Sequence, residues 1–231
     1  MELELKIGVL AIQGGFSEHE CALLKCLSQN GGIIPDVNLK VFRVTQASDI
    51  SGMDGLVIPG GESSVNSQIL DDAIMKELCS WANNDKHVLF GTCAGLITLS
   101  KHIENSMAGQ QDRFSKLARL DVTTSRNYFG RQLNSFEGQV NIRKKEISKF
   151  QNVESDAPDT CNGVFIRAPG IVSINSLTVK TLATIQVGEK EVIVGVEDKN
   201  CIGLAFHPEL TEDIRWHAYF LNMIIKQKSK Q

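Results

Sequence analysis

The sequence lacks the features that mark several protein classes. None of its six cysteines forms a C-x-x-C pair, which argues against a zinc knuckle, and their scattered spacing suits reduced thiols better than a disulfide framework. Residues 1–6 have no signal-peptide pattern, and no apolar run is long enough to span a bilayer. These absences predict a cytoplasmic protein without a membrane segment.

The sequence also lacks an excess of basic residues, internal repeats and linkers. The net charge of −3 leaves no positive excess for a nucleic-acid surface. The sequence has no P-loop pattern for phosphate binding, no internal repeat and no low-complexity linker. Its 231 residues, 42% hydrophobic and 22% charged, are enough for one sizeable core. We expect a single domain over residues 1–231.

A short apolar run followed by a glycine-rich turn stands out in the chain. Residues 87–90 are predicted to form a buried parallel strand, and a helix is predicted to start near Leu96. Between them lies GTCAG at residues 91–95, with a glycine two positions away on each side of Cys93. That spacing is typical of a strand-to-helix elbow that presents a nucleophile, and a helix N-terminus favours a thiolate. A small buried cysteine beside a tight turn explains the same residues without any function.

The order of the predicted elements indicates an α/β fold. In the first half, strands alternate with helices, which favours a parallel, doubly wound sheet. In the second half, strands without intervening helices predict a mixed or antiparallel extension. Strands are predicted at 5–12, 39–44, 55–58, 87–90, 136–142, 163–167, 180–187, 192–197 and 201–206, and helices at 17–30, 71–83 and 211–226. Polar loops are predicted at 105–116 and 151–162, and a fraying tail at 226–231.

The first helix carries a start signal and a histidine. A serine and a glutamate three positions apart have the spacing of a capping box, and small or apolar residues follow at helical spacing. His19, flanked by two glutamates, is predicted to belong to a solvated helix start. The predicted box is formed by Ser17 with Glu20, and the predicted inward face by Cys21, Leu24 and either Leu27 or Cys26.

The segment AFHPE at residues 205–209 offers a general base for a nucleophilic thiol. His207 is placed to take and return a proton, and Glu209, past a rigid proline, is placed to orient the imidazole. Residues i and i+2 lie on the same side of an extended chain. Taken alone, His207 is also explained as a satisfied histidine at the end of a strand.

Two turns offer donors for an oxyanion. The N–H of Ala94 directly follows the thiol in the elbow, and the PGG turn at residues 59–61 exposes further N–H groups after another strand. An ordinary turn explains those glycines without a ligand. In open α/β sheets, ligands bind beyond the carboxyl ends of the strands. We therefore expect one crevice at the ends of the strands that carry Gln13, Gly61, Cys93 and His207.

Six sequence blocks, in order, carry a family resemblance. They are IGVLAIQG at 7–14, IPGGES at 58–63, GTCAG at 91–95, RNYFGRQ at 126–132, FIRAP at 165–169 and FHPELT at 206–211. Over nearly its whole length the chain resembles class I (triad-type) glutamine amidotransferases, most closely the glutaminase family of pyridoxal 5′-phosphate synthase (the SNO/PdxT group). The fourth and fifth blocks are the most specific to that group. The family's second block usually continues Glu-Ser-Thr-Thr, whereas this chain has Ser64 and Val65 in the last two positions.

The resemblance implies a fold and a set of residue roles. The fold is flavodoxin-like and three-layered, with a mostly parallel central sheet flanked by helices and an antiparallel extension. Cys93 is the implied nucleophile, His207 the general base and acid, and Glu209 the orienting group. The implied oxyanion hole is formed by Gly61 and Ala94, and the implied L-glutamine pocket by Gly61, Glu62 (α-ammonium), Ser63, Arg126 (α-carboxylate), Ile166 and Arg167, with Gln13 at its rim.

The resemblance also implies a reaction and a partner. L-Glutamine is hydrolysed to glutamate and ammonia through a γ-glutamyl thioester, without a metal or cofactor. Ammonia then passes to a barrel-shaped, SNZ-like pyridoxal 5′-phosphate synthase subunit. Two alternatives stay open: a glutaminase for histidine or purine synthesis, against which the RNYFGRQ block argues, and a non-catalytic regulatory subunit, against which the intact Cys93, His207 and Glu209 argue.

Overall fold

A single mixed sheet runs through the part of the chain that the structure describes. The computed structural model describes residues 3–27, 33–34, 37–61, 72–104, 117–130, 135–143 and 159–230. Twelve strands in these ranges belong to the sheet: β1 Leu3–Leu10, β2 Val37–Val44, β3 Gly55–Ile58, β4 Val88–Thr92, β5 Ser100–Ile103, β6 Leu120–Ser125, β7 Ser135–Ile142, β8 Thr160–Ile166, β9 Gly170–Ile174, β10 Val179–Val187, β11 Lys190–Asp198 and β12 Cys201–Leu204. The α-helices are α1 Phe16–Lys25, α2 Asp72–Ala82, α3 Ala94–Leu99 and α4 Arg215–Lys228.

Five strands form the parallel part of the sheet. Their order is β2-β1-β3-β4-β12, and each neighbouring pair is parallel. The whole of β3, β4 and β12 is buried, as expected of strands covered on both faces. The register pairs Ile58 with Gly91 and Leu204 with Thr92. The carboxyl ends of these three strands are therefore level, and the turns that follow them meet at one edge.

The predicted antiparallel extension is confirmed. Beyond β12 the order continues β11-β10-β7-β8 with antiparallel pairing, while β9 joins β11 to β6 and β5. The strands β5, β6 and β9 were not expected from the sequence. Each is short, with four to six residues, and β6 alternates buried and half-buried positions in a threonine-rich segment. The predicted loop at 151–162 is wrong at its end, because residues 160–162 belong to β8.

Helices cover both faces of the parallel strands. Phe90 on β4 contacts His217 and Phe220 of α4, with ring centroids 5.6 Å apart in both cases. The next residue, Gly91, points to the opposite face, where an added Cβ would lie 2.6 Å from Leu99 of α3. Since successive residues of a strand face opposite sides, α4 and α3 lie in different layers. The predicted three-layer α/β architecture is thus confirmed.

The predicted start of the first helix is wrong, and its predicted inward face is wrong in part. The helix begins one residue earlier, at Phe16, and its N-cap, Gly15, has no side chain to bond the first turn. The side chains of the supposed capping box instead face Arg43 of β2, whose guanidinium bonds Glu20 at 2.8 Å and Ser17 at 3.4 Å. Cys21 and Leu24 are exposed, against the prediction, whereas Cys26 and Leu27 are buried as expected, together with His19, Ala22 and Leu23.

Two further helix boundaries differ from the prediction. The first helix ends at Lys25, and residues 28–30 lie outside the described ranges. The last helix starts at Arg215 and not at Thr211, because a 3-10 turn, Pro208–Leu210, follows β12. It then runs to Lys228, whose ammonium bonds the Asp54 carboxylate at 2.8 Å. The prediction of fraying from residue 226 is therefore wrong for residues 226–228. On this helix Ala218 and Leu221 are buried, and Ile214 and Ile225 are partly buried.

The helix predicted at 71–83 is observed as α2, with Ile74, Leu78 and Trp81 buried. Residues 105–116 lie outside the described ranges. None of the helices in the described ranges is long and apolar enough to cross a membrane.

Candidate active site

The backbone at Cys93 has a conformation that L-residues rarely adopt. With φ 50° and ψ −106°, Cys93 follows β4 directly and is the N-cap of α3. Its N–H donates to the Leu204 carbonyl oxygen at 2.8 Å, and its carbonyl oxygen accepts from the Ile97 N–H at 3.3 Å. Such strain costs on the order of 1–3 kcal/mol and persists only where surrounding contacts impose it. The elbow predicted from the sequence is therefore present.

Close backbone contacts impose this conformation. A Cβ added at Gly95 would overlap the carbonyl oxygen of Ile58 at the end of β3. A Cβ added at Gly91 would lie 2.6 Å from the backbone carbon of Gly95. The elbow thus packs closely against the neighbouring strand. Only glycine fits at positions 91 and 95, on the two sides of the thiol.

The His207 imidazole lies between a thiol and a carboxylate. Its Nδ1 is 2.7 Å from Glu209 Oε1, and the ring shares a hydrogen bond with Cys93. The 3-10 turn at residues 208–210, and not the extended chain expected from the sequence, brings the carboxylate back to the ring. The three residues are only 6% (Cys93), 8% (His207) and 7% (Glu209) exposed. The structure thus brings Cys93, His207 and Glu209 together, with the imidazole between the thiol and the carboxylate.

The two neighbours of His207 favour its charged form. Burial by itself lowers the pKa of the imidazole, but hydrogen bonds to Cys93 and Glu209, and their negative charge, raise that pKa to about 10. An imidazolium beside sulfur is the arrangement that stabilises a thiolate. Chemically, the pair can supply a nucleophile and a proton donor at neutral pH.

A cavity of about 590 Å³ opens above the thiol. Its size is within the range of small-molecule sites. The half-buried Arg126 brings a positive charge to the wall, although burial lowers the pKa of its guanidinium. The described residues hold no group of three His, Cys, Asp or Glu side chains that could bind a metal ion. Predicted residues on the wall are Gly61, Cys93, Ala94, Arg126, Ile166, Arg167, His207 and Glu209, and unpredicted ones include Gly15, Glu18, Ile97, Asn127 and Leu210.

The predicted pocket has three further residues, Gln13, Glu62 and Ser63. Gln13 packs behind the wall, since a Cβ added at Gly61 would lie 2.9 Å from Gln13 Cδ. Among the described residues that line the cavity, Gln13 is absent. Glu62 and Ser63, like Ser64 and Val65, lie outside the described ranges.

The backbone of Gly60 closes one side of the site. A Cβ there would overlap the His207 ring and lie 2.9 Å from Cys93 Cβ, so only glycine leaves room for both side chains. Its N–H donates to Thr92 Oγ1 at 3.1 Å. Its carbonyl oxygen lies against Gly14, where an added Cβ would overlap it. The turn after β1 and the turn after β3 are therefore in direct backbone contact.

Sequence reasoning missed His19. The prediction of a solvated position is wrong, because the side chain is fully buried. Its Nδ1 lies 2.9 Å from His217 Nε2, and its Nε2 lies 3.1 Å from Thr92 Oγ1 and 3.4 Å from Glu209 Oε2. In a helix that starts at Phe16, His19 lies on the buried face with Ala22 and Leu23, which follow it by three and four residues.

We predict that Glu209→Gln lowers the pKa of His207. The neutral amide no longer favours the imidazolium, so the pKa falls from about 10 toward its ordinary value near 6.5. An NMR titration of the His207 ring in the absence of ligand measures the shift. Glu212→Gln is the matched control, because that carboxylate is 91% exposed and pairs with Lys25. An unchanged midpoint in the Glu209 variant would contradict the arrangement.

Comparisons with known proteins agree with this geometry. The profile of the SNO glutamine amidotransferase family matches residues 9–226. Two proteins called pyridoxal 5′-phosphate synthase subunit PdxT are similar: that of Methanosarcina barkeri is 40% identical over 96% of this chain and 99% of its own, and that of Thermococcus onnurineus is 37% identical over 94% and 98%. A crystal structure described as a glutamine amidotransferase is 33% identical, with a TM-score of 0.70 over 94% of this chain and 98% of its own. The chain therefore belongs to the SNO glutamine amidotransferase family.

Proposed function

We propose that this chain is the glutaminase subunit of a pyridoxal 5′-phosphate synthase. It hydrolyses L-glutamine to glutamate and ammonia and delivers the ammonia to the synthase subunit for vitamin B6 biosynthesis. The observation that carries the reaction is the buried line of Cys93, His207 and Glu209 at a strained elbow under a cavity. The names of the PdxT relatives support the pathway.

The three residues divide the chemistry between them. The thiolate of Cys93 attacks the γ-amide carbon of glutamine, and His207 gives its proton to the nitrogen, so ammonia leaves and a γ-glutamyl thioester remains. His207 then takes a proton from water, which attacks the thioester and releases glutamate and the thiolate. Glu209 holds the imidazole in the required orientation and stabilises its charged form.

Backbone donors stabilise the tetrahedral intermediates. The proposed donors are the N–H groups of Ala94 and Gly61, which both line the cavity. The strained elbow supports the first assignment, because the residue after the nucleophile in such a turn presents its N–H to the substrate. The contact of Gly60 with the catalytic pair supports the second, because residue 61 directly follows it.

The rest of the cavity would bind the amino-acid part of glutamine. Arg126 pairs with its α-carboxylate, and Glu62, by family resemblance, with its α-ammonium. The Ile166 carbonyl oxygen lies 3.8 Å from Cys93 Sγ, so the segment of Ile166 and Arg167 forms the wall nearest the thiol. Ser63, by family resemblance, completes the proposed pocket, and Gln13 packs against Gly61 behind its wall. No metal or other cofactor takes part in this proposal.

The proposed partner is a barrel-shaped, SNZ-like synthase subunit. This chain, a single domain acting in the cytoplasm, would supply ammonia, and the partner would act on the sugar phosphates. A glutaminase of histidine or purine synthesis is less well supported, because the relatives of 37% and 40% identity are both called PdxT. A regulatory subunit without catalysis would not need the line of Cys93, His207 and Glu209.

We predict that Cys93→Ala abolishes glutamine hydrolysis and leaves the fold intact. Loss of a covalent nucleophile costs on the order of 10⁴-fold or more in rate. The measurement is glutamate release by the purified chain together with its synthase subunit. Cys21→Ala, at an exposed thiol on α1, is the matched control and should retain full activity. Substantial hydrolysis by the Cys93 variant would exclude the thioester route.

We predict that Arg126→Ala raises the KM for glutamine more than it lowers kcat. The substrate carboxylate is present in the ground state and in the transition state alike, so its binding is uniform. Loss of one charged hydrogen-bonding pair raises KM about 10- to 100-fold. Arg119→Ala removes an arginine that pairs with the exposed Asp85 and serves as control. A normal KM in the Arg126 variant would remove Arg126 from the pocket.

We predict that the chain alone hydrolyses glutamine slowly and that its synthase subunit activates it. The peptide between Gly60 and Gly61 can rotate at little steric cost, and the Gly60 carbonyl oxygen contacts Gly14. A partner that docks near residues 13–16 can therefore favour the orientation in which the Gly61 N–H faces the oxyanion. One such donor is worth roughly 10²- to 10³-fold in turnover.

The activation is measured as ammonia release with and without the purified synthase subunit. The same mixture made with the Cys93→Ala chain gives the background rate. Equal turnover of the wild-type chain in both conditions would mean that the oxyanion hole is already assembled in the free chain.

A further inference from the structure

A buried row of polar side chains continues from Glu209 away from the cavity. The His19 imidazole lies behind the carboxylate, with Nε2 3.4 Å from Glu209 Oε2. His217 of α4 lies behind His19, with 2.9 Å between the two ring nitrogens. Both histidines are fully buried. Neither has a role in the reaction as described so far.

The position of His19 matters because Glu209 has two oxygens to satisfy. Oε1 accepts the hydrogen bond from His207 Nδ1. Oε2 is buried and has no hydrogen-bond partner among the described residues. A buried carboxylate oxygen without a donor is costly, and the carboxylate is then free to rotate away from His207. The ring nitrogen that faces Oε2 is Nε2 of His19.

The hydrogen-bonding pattern assigns the ring protons. Burial lowers the pKa of His19 well below its usual range and that of His217 to about 3, so both rings are neutral and carry one proton each. Nδ1 of His217 has no partner among the described residues, and a bare lone pair there is less costly than a buried N–H. His217 therefore carries its proton on Nε2 and donates it to His19 Nδ1. The remaining proton of His19 is then on Nε2, which lies 3.1 Å from Thr92 Oγ1 and 3.4 Å from Glu209 Oε2.

The same imidazole also reaches the oxyanion side of the site. Nε2 of His19 lies 3.1 Å from Thr92 Oγ1, and that oxygen accepts the N–H of Gly60 at 3.1 Å. Thr92 directly precedes the nucleophile, and Gly60 directly precedes the proposed oxyanion donor at residue 61. One ring on α1 therefore contacts the group that orients His207 and the group that holds the glycine turn.

We propose that His19 is a positioning residue of the reaction. Its Nε2–H, held in place by His217, faces Oε2 of Glu209 and keeps the carboxylate directed at His207. The catalytic line then has five side chains: Cys93, His207, Glu209, His19 and His217. This inference deepens the proposed glutaminase function and rests on it.

A pair of amide variants tests the role of the Nε2–H. In His19→Gln the side-chain amide reaches the position of Nε2 and can donate to Glu209. In His19→Asn the shorter amide reaches only the position of Nδ1. We expect kcat to fall about 10- to 100-fold in the Asn variant, as is typical when a group that orients a catalytic ligand is lost. The Gln variant should keep most of the wild-type kcat, and KM should change little in both.

The matched control is His87→Gln, at a half-buried histidine that stacks on Trp81 with ring centroids 4.1 Å apart. It precedes β4, and the six residue steps from His87 to the nucleophile span roughly 20 Å. Its kcat should equal that of wild type. All variants are assayed as the complex with the synthase subunit, and their Tm values are compared.

The outcomes separate this proposal from the function on which it rests. If the wild-type complex does not hydrolyse glutamine, the proposed function fails. If it does, and both His19 variants retain wild-type kcat, the positioning role is overturned. Equal loss of kcat in both variants, together with equal loss of Tm, would also overturn it, since a purely structural histidine behaves in that way. A further readout is the NMR resonance of the His207 Nδ1 proton, which should shift in the Asn variant and not in the His87 control.

Discussion

The strained backbone at Cys93 is the constraint on which the rest of the site depends. Its positive φ turns the chain at the end of β4, so that the thiol projects beyond the sheet edge and not into the core. The strain is maintained because the elbow touches the ends of two neighbouring strands, through Ile58 and Leu204. Those strands also carry the glycine turn and His207. The parallel pairing of these strands therefore both maintains the strained turn and places the glycine turn and His207 next to it.

The charged groups of the site interact through short, buried contacts. Glu209 and Cys93 lie on opposite sides of one imidazole and raise its pKa, while burial alone would lower it. Behind them lie two neutral, fully buried histidines, and Phe90 packs against both rings. The side chains therefore change from charged to neutral to apolar with distance from the thiol.

The features that could be predicted from the sequence were local. The elbow and the His207–Glu209 pair depend on residues within five positions of each other, and strands such as β3 are continuous apolar runs. His19 was missed because its neighbours in sequence are glutamates, whereas its partners His217 and Thr92 are 198 and 73 positions away. The short strands β5, β6 and β9 were missed for a similar reason, since they are held by pairing with one another and with β11.

The anchoring of α4 by Lys228 has a consequence for how the protein can be handled. The same ammonium that bonds Asp54 also bonds the Glu4 carbonyl oxygen at 3.0 Å, so the two ends of the described chain are neighbours. Glu4 is near the amino end of β1, whereas the site lies beyond the carboxyl end, roughly 20 Å along the strand. A tag or fluorescent reporter fused at either terminus would therefore project away from the cavity mouth. A short linker between the two ends would also permit circular permutation.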